Sequence, residues 1–322
     1  MSPILIITGP TATGKTRFAL TLARKFSGEL VSADSRQVYI GADIVTGKDI
    51  PPGFVKAASD LLWQTRPLTY FTDTQTRIWL TDIVHPNEPF NVSFWKQCAD
   101  LVIADIFSRR RLPIVVGGTG LYLKSLTQNL SQIHTPFNPR LRRRLAGYTA
   151  VELFNYLKSV SPAKAASLNS SDAANPRRLI RAIEIFSLPP PAYDVGPYAS
   201  LTLGLTAPRD YLFHRVEDRV ASRLQSGAAV EAASLLKKYS PDSPGMTACG
   251  YRAFTRPDFS SAWITSEKQY LRRQLTWFAK IPAVSWFDVS VPGWQATAEK
   301  KFLWRGSADG DWRHRKNLKT RL

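Results

Sequence analysis

Apolar residues first gather in the run ILIITG at 4–9, whose β-branched character fits a strand buried on both faces, and the glycines that follow give way to KTRFALTLARKF. There Phe18, Leu22 and Phe26 recur at helical spacing, so the pattern predicts strand, loop and helix. ELVSAD at 29–34 predicts a second strand that ends in polar residues, and WLTDIV at 79–84 a third. Ser93 to Arg110 has amphipathic helical periodicity opened by a serine cap, and PIVVGGTGLYLKSL at 113–126 repeats the strand, glycine turn and helix. Such alternation predicts an α/β fold built on a doubly wound parallel sheet of the P-loop NTPase-like kind. Ligands gather at the carboxyl ends of strands in sheets of this type, so Asp34 and Ser35 are expected beside the first glycine loop.

From about Asn138 to Phe186 the strands stop. PRLRRRLAG, AVELFNYLKSV and NPRRLIRAIEIF all carry helical patterns, which predicts a helical insertion over 135–186. The turn-rich SLPPPAYDVGPYAS at 187–200 is a connector, after which LTLGLTA returns as a strand. Helices are expected at 208–226, 228–239 and 266–280, with AVSWFD as a last short strand. The expected division is therefore a catalytic core of 1–134 and 187–295, the insertion at 135–186, and a basic, partly mobile tail at 296–322.

Composition adds charge to this outline. The 43 Lys and Arg exceed the 25 Asp and Glu by 18, a field that attracts polyanions, nucleic acid first among them. The insertion alone holds nine basic residues against three acidic ones (Glu152, Asp172, Glu184), a net of +6. Cys98 and Cys249 lie too far apart in sequence for a metal-ligand spacing and build no disulfide framework. No stretch approaches the roughly 20 apolar residues of a membrane span, and a cytoplasmic protein is expected.

The chemistry begins at GPTATGKT, residues Gly9, Pro10, Thr11, Ala12, Thr13, Gly14, Lys15 and Thr16. This is the P-loop pattern GxxxxGK[ST], here with a strand before it and a helix after. Its backbone N–H groups converge on phosphate oxygens, Lys15 adds a point charge and Thr16 is the expected ligand for Mg²⁺. A kinase or NTPase would usually carry an acid at the end of a later apolar strand. The strand at 113–116 instead runs into Gly117, Gly118 and Thr119, and the nearest acid in pattern is Asp34 within SADSRQVY. From the residues alone Asp34 is equally a metal ligand, a base for an incoming nucleophile or a cap for a following helix.

Taken together, GPTATGKT at 9, VSADSRQVYIGADIVTGKD at 31, DIVHPNEPFNVSFW at 82, PIVVGGTGLYLKSL at 113, RRLIRAIEIF at 177, LTLGLTAPRDYLFHRVEDRV at 201, CGYRAF at 249 and RRQLTWF at 272 resemble the tRNA dimethylallyltransferases, or tRNA isopentenyltransferases, in order along about 270 residues. The resemblance implies transfer of a dimethylallyl group from dimethylallyl diphosphate to N6 of the adenosine 3′ of the anticodon; a monomer can in principle hold both substrates and is the expected state. It assigns Asp34 as the base at N6, Thr119 to positioning Asp34 or the diphosphate, and Arg209 to the diphosphate. It also assigns Asp34, Ser35, Arg36, Gln37 and Thr119 to the extruded base and its neighbours, and Arg142, Arg177, Arg178 and Arg181 to the anticodon stem-loop. Gln274 and Trp277 are further candidates for that surface, although a core position is the favoured reading of the tryptophan. Against the family pattern this chain has IWLTDI where HHLID is common, an extra segment near Pro51 to Arg77, Arg36 in place of a methionine, and a shortened insertion and connector. Two other readings keep the P-loop: an adenylate isopentenyltransferase acting on free AMP or ATP, and a metabolite kinase.

Overall fold

The five residues of β1 (Ile4–Thr8) and the six of β6 (Leu112–Gly117) are all buried, as strands covered on both faces must be. In the computed structural model, which describes residues 3–128, 130–186 and 198–308, they are neighbours in an eight-stranded sheet. The other strands are β2 (Gly28–Ser32), β3 (Val55–Trp63), β4 (Arg66–Thr72), β5 (Arg77–Trp79), β7 (Ser200–Thr206) and β8 (Val284–Asp288), arranged β3-β4-β5-β2-β6-β1-β7-β8. From β5 to β8 every pairing is parallel, and β4 joins β5 and β3 antiparallel.

Helix α1 (Lys15–Lys25) packs Phe18, Ala19 and Leu22 on one sheet face together with Leu5, Ile7 and Ile114. Against the other face lie α2 (Val92–Ser108) and α3 (Gly120–Thr127), with Trp95 stacked on Tyr122 at 4.5 Å. The expected serine cap of α2 is corrected: Asn91 caps it, accepting from the Ser93 and Phe94 N–H groups. The strand expected at 79–84 is also shorter and earlier, because Leu80 and Asp82 take positive φ (63° and 56°) and leave the ladder. The extra segment forms the β3–β4 hairpin at the sheet edge, where Lys56 and Asp60 put charge on the open strand.

A second compact unit spans Gln128–Gly196. Its described part is helical: a 3₁₀ turn at Ser131–His134, then α4 (Pro139–Leu145), α5 (Ala150–Val160), α6 (Pro162–Ala166), α7 (Ser170–Ala173) and α8 (Pro176–Ile185). Leu145, Leu153, Leu157, Leu179 and Ile183 form its core. The connector expected at 187–200 lies outside the described residues up to 197.

The chain then continues through α9 (Arg209–Gln225), α10 (Ala228–Lys238), α11 (Cys249–Ala253), α12 (Phe259–Phe278) and α13 (Trp294–Ala308). Within the stretch expected from 296 as a partly mobile tail, residues 296–308 belong to α13. Ala298 and Phe302 are buried there, Trp294 meets Phe18 at 4.9 Å and Phe302 meets Phe26 at 4.9 Å, so apolar burial fixes α13 on the core. Residues 309–322 of that expectation lie outside the described residues.

Candidate functional site

Three parallel strands end together. The register sets Thr8 opposite Gly117 and Ser32 opposite Val116, so the P-loop after β1, Asp34 after β2 and the GGTG turn after β6 share one edge of the sheet. Close approach demands the glycines: a Cβ on Gly117 would stand 2.2 Å from the Ala33 carbonyl oxygen, and Gly14 holds φ +82° at the start of α1.

Within the loop, the Thr13 hydroxyl donates to the Pro10 carbonyl at 2.9 Å. Gln274, buried on α12, accepts from the Thr11 N–H at 2.8 Å and donates to the Gly118 carbonyl at 3.2 Å. One side chain thus ties the P-loop to the GGTG turn, and Gln274 is no exposed RNA contact. Trp277 lies over Gly120, where any Cβ would strike its ring.

Asp34 caps no helix. Its Oδ1 accepts from the Arg36 N–H at 2.8 Å in a tight turn, and residues 35–38 form turns. Thr119 is likewise not a side-chain cap for α3: its hydroxyl accepts from the Ser35 N–H at 3.0 Å, and its own N–H donates to Ala33 at 3.1 Å. These bonds fix the turn that carries Asp34. Arg36 donates to the Pro244 carbonyl (3.0 Å) and the Thr247 hydroxyl (2.7 Å), and Gln37 donates to the Gly47 carbonyl at 2.7 Å.

A cavity of about 680 Å³ opens here, lined by Thr11, Ala12, Gly14, Lys15, Thr16, Asp34, Gln37, Arg215, Arg219, Tyr270 and Gln274 among others. Arg209 does not line it. As the first residue of α9 its side chain is 63% exposed, beside Asp210 at 3.8 Å, whereas Arg215 and Arg219, six and ten residues farther on, face the cavity. Arg219 donates to the Thr11 hydroxyl at 2.6 Å and pairs with Asp49 at 3.5 Å. Arg223, buried behind it, gives one bond to the Val45 carbonyl at 3.3 Å, and burial followed by the Arg219 charge pushes its pKa down to about 10. Sequence reasoning missed Arg219, and it placed Gln274 on the RNA surface rather than between the two glycine loops; the four-residue spacing of Arg215 and Arg219 on one predicted helix was the only signal for the former.

Lys15 donates to the Pro10 carbonyl at 2.7 Å. Burial, then the Arg219 charge, push its pKa from 10.5 down to about 7, with Asp34 opposing. Unfolded chains therefore hold more protons on this group between pH 7 and 10.5, and stability attributable to Lys15 rises with pH across that window. An arriving diphosphate reverses the shift, because its negative charge favours the ammonium. At pH 8, where a group of pKa near 7 is mostly neutral, binding of inorganic diphosphate is expected to take up more protons in the parent than in Lys15→Met. Calorimetry in buffers of different ionisation enthalpy measures this, and uptake unchanged in Lys15→Met contradicts the assignment.

The arginines of the helical unit divide. Glu184, with 1% of its side chain exposed, accepts from Arg142 at 2.6 and 2.9 Å and from Arg181 at 3.1 Å. Arg181 also donates to the Gln132 and Thr135 carbonyls. Both arginines are thus struts of the unit, and Arg142 lies over the Phe137 ring at 4.1 Å. Arg178 pairs with Asp172 on the surface, and Arg177 is exposed. Burial alone would raise the Glu184 carboxyl, but the bonds from Arg142, the Asn138 N–H and Arg181 outweigh it and hold the pKa below the ordinary range. That stability is present above pH ~4.3 and is lost as pH falls through the depressed folded value. Glu184→Gln is expected to cost about 1–3 kcal/mol, read by denaturant unfolding of the full chain at pH 7.

Among the described residues no group of three or more His, Cys, Asp or Glu could hold a metal alone, and no helix is long and apolar enough to cross a membrane. Residues 69–281 match the family model described as IPP transferase. A tRNA dimethylallyltransferase of Thermomicrobium roseum is 35% identical over 91% of this chain and 88% of its own, and one of Desulforudis audaxviator is 34% identical over 94% and 96%. Among solved structures, the full-length tRNA isopentenylpyrophosphate transferase of Bacillus halodurans is similar over 99% of both chains, with a TM-score of 0.64 and 29% identity. A eukaryotic dimethylallyltransferase acting on tRNA shares the fold with a TM-score of 0.74 at 22% identity, over 94% of this chain and 78% of that one.

Proposed function

The chain belongs to the IPP transferase family, and from that premise we propose how its site performs the family's chemistry. It is a tRNA-modifying prenyltransferase. In our reading it carries a dimethylallyl group from dimethylallyl diphosphate to N6 of the adenosine 3′-adjacent to the anticodon, releases diphosphate, and works as a monomer in the cytoplasm. The observation that carries this is the placement of Asp34 on the same sheet edge as the P-loop, in one cavity with Lys15 and Arg219.

The leaving diphosphate gathers negative charge as the bond from C1 to oxygen stretches. The N–H groups of residues 9–16, Lys15 and Arg219 stand where they can stabilise it. Arg209 reaches a diphosphate only by turning inward from its exposed position, so Arg219 is the stronger assignment. Oxygen donors Thr16 and Asp49 line the same cavity, hard ligands that suit Mg²⁺ shared with substrate phosphates. When bound, that ion would offset diphosphate charge, with Thr16 as its P-loop ligand.

Asp34 accepts the N6 proton as the carbon–nitrogen bond forms, because the exocyclic amine is a feeble nucleophile until it sheds that proton. Ser35, Arg36 and Gln37 follow on the same turn, and Thr119 holds that turn in place. On the helical unit, exposed Arg177 and Arg178 are the proposed phosphate contacts, with Arg142 and Arg181 presenting only what Glu184 leaves free. Competition settles the acceptor: excess AMP or ATP is expected to leave tRNA prenylation unchanged, and preferential prenylation of the free nucleotide would overturn the reading.

A further inference from the structure

A buried guanidinium that leaves donors unpaired destabilises a fold, and Arg223 on α9 is one. Its side chain is 8% exposed, and Nη1 gives a single 3.3 Å bond to the Val45 carbonyl. Nε and Nη2 are buried with no hydrogen-bond partner among the described residues. The local chain makes room for this group. Gly47 turns at φ +64°, and a Cβ there would stand 1.4 Å from Nη2 of Arg223 and 2.5 Å from Nη2 of Arg219. Glycine thus leaves space for both guanidiniums where they stand, and its carbonyl is held by Gln37, on the turn that follows Asp34. Two residues on, Asp49 lines the cavity with 60% of its side chain exposed. Its Oδ2 lies 3.5 Å from Nη2 of Arg219 and 4.0 Å from Nη2 of Arg223, so one carboxylate oxygen faces both guanidiniums at more than ordinary hydrogen-bond length.

We propose that Arg223 is a positioning residue for diphosphate binding, which takes over Asp49 as the diphosphate takes Arg219. The proposal rests on the reading above that the P-loop cavity holds the diphosphate. Arg219 brings its full charge to the phosphates only as Asp49 lets go of it, and a carboxylate left without a cation beside a polyanion is repelled. Nε and Nη2 of Arg223 offer that carboxylate a charge-assisted pair a short shift away, and the same shift gives Arg223 the partner it lacks. The second carboxylate oxygen remains available to an ion shared with the phosphates. Arg223 does not itself line the cavity, so its influence on the substrate passes through Asp49.

The test is a double-mutant cycle on the full chain, with binding of inorganic diphosphate in the presence of Mg²⁺ read by calorimetry. Arg223→Met is expected to weaken binding about tenfold when Asp49 is present. With Asp49→Asn already in place, the same substitution is expected to weaken it less than about threefold, because a neutral side chain needs no cation. Equal losses in the two backgrounds, or no loss in either, overturn the exchange. Denaturant unfolding gives a second readout. Arg223→Met is expected to be at least as stable as the parent, since it removes a buried charge with unpaired donors. A less stable variant that binds diphosphate as tightly as the parent would make Arg223 a strut of the fold and defeat the proposal. Arg223→Gln, uncharged but still able to donate to the Val45 carbonyl, makes the same test should Arg223→Met not fold. A parent that binds no diphosphate overturns the reading of the cavity itself, and the inference with it.

Discussion

Replacing Asp34 by asparagine is expected to lower turnover by about 10²–10⁴-fold while leaving tRNA binding within a fewfold of the parent, as loss of a general base does. Asparagine keeps the Oδ1 that accepts from the Arg36 N–H, so the turn survives and the defect is chemical. A second readout separates this from a loosened site: the KM for dimethylallyl diphosphate should change little, because Lys15 and Arg219 remain. Single-turnover rates with prebound tRNA are the measurement, and a rate equal to the parent's removes Asp34 from its role.

Lys15→Met is the second large effect. It leaves a side chain of similar length and removes the charge, and kcat/KM for the prenyl diphosphate is expected to fall by about 10²–10³-fold. Arginine is a poor rescue. The Lys15 ammonium is a compact point charge at the cavity wall, donating to the Pro10 carbonyl, and a longer planar guanidinium puts its charge elsewhere. Loss of activity should accompany loss of proton uptake in the same variant, since both come from one ammonium.

What sequence could reveal here depended on how local the cause was. The P-loop is legible because the spacing of Gly9, Gly14 and Lys15 is itself the structure, and Asp34 because a buried strand that ends in polar residues points to the sheet edge. Thr119 follows from the second glycine turn. Arg219 does not, since its meaning comes from Thr11, 208 residues away, and Gln274 bonds Thr11 across 263. Arginines in a basic insertion suggest RNA, but no local pattern tells that the fold also brings Glu184, 42 residues on, against Arg142. WLTDIV read as a strand since periodicity carries no sign of the positive φ at Leu80 and Asp82. The apolar order of α13 was hidden under the charge of the segment that contains it.

The catalytic account comes down to whether a carbon chain moves from a diphosphate held by the P-loop onto an adenine beside Asp34. Mass analysis of nucleosides from tRNA incubated with the protein, Mg²⁺ and dimethylallyl diphosphate tests that most directly. The account predicts an adenosine carrying one dimethylallyl group on N6, 3′ of the anticodon, in the parent reaction and almost none with Asp34→Asn. Unmodified adenosine in the parent reaction, or equal product from the variant, would contradict it.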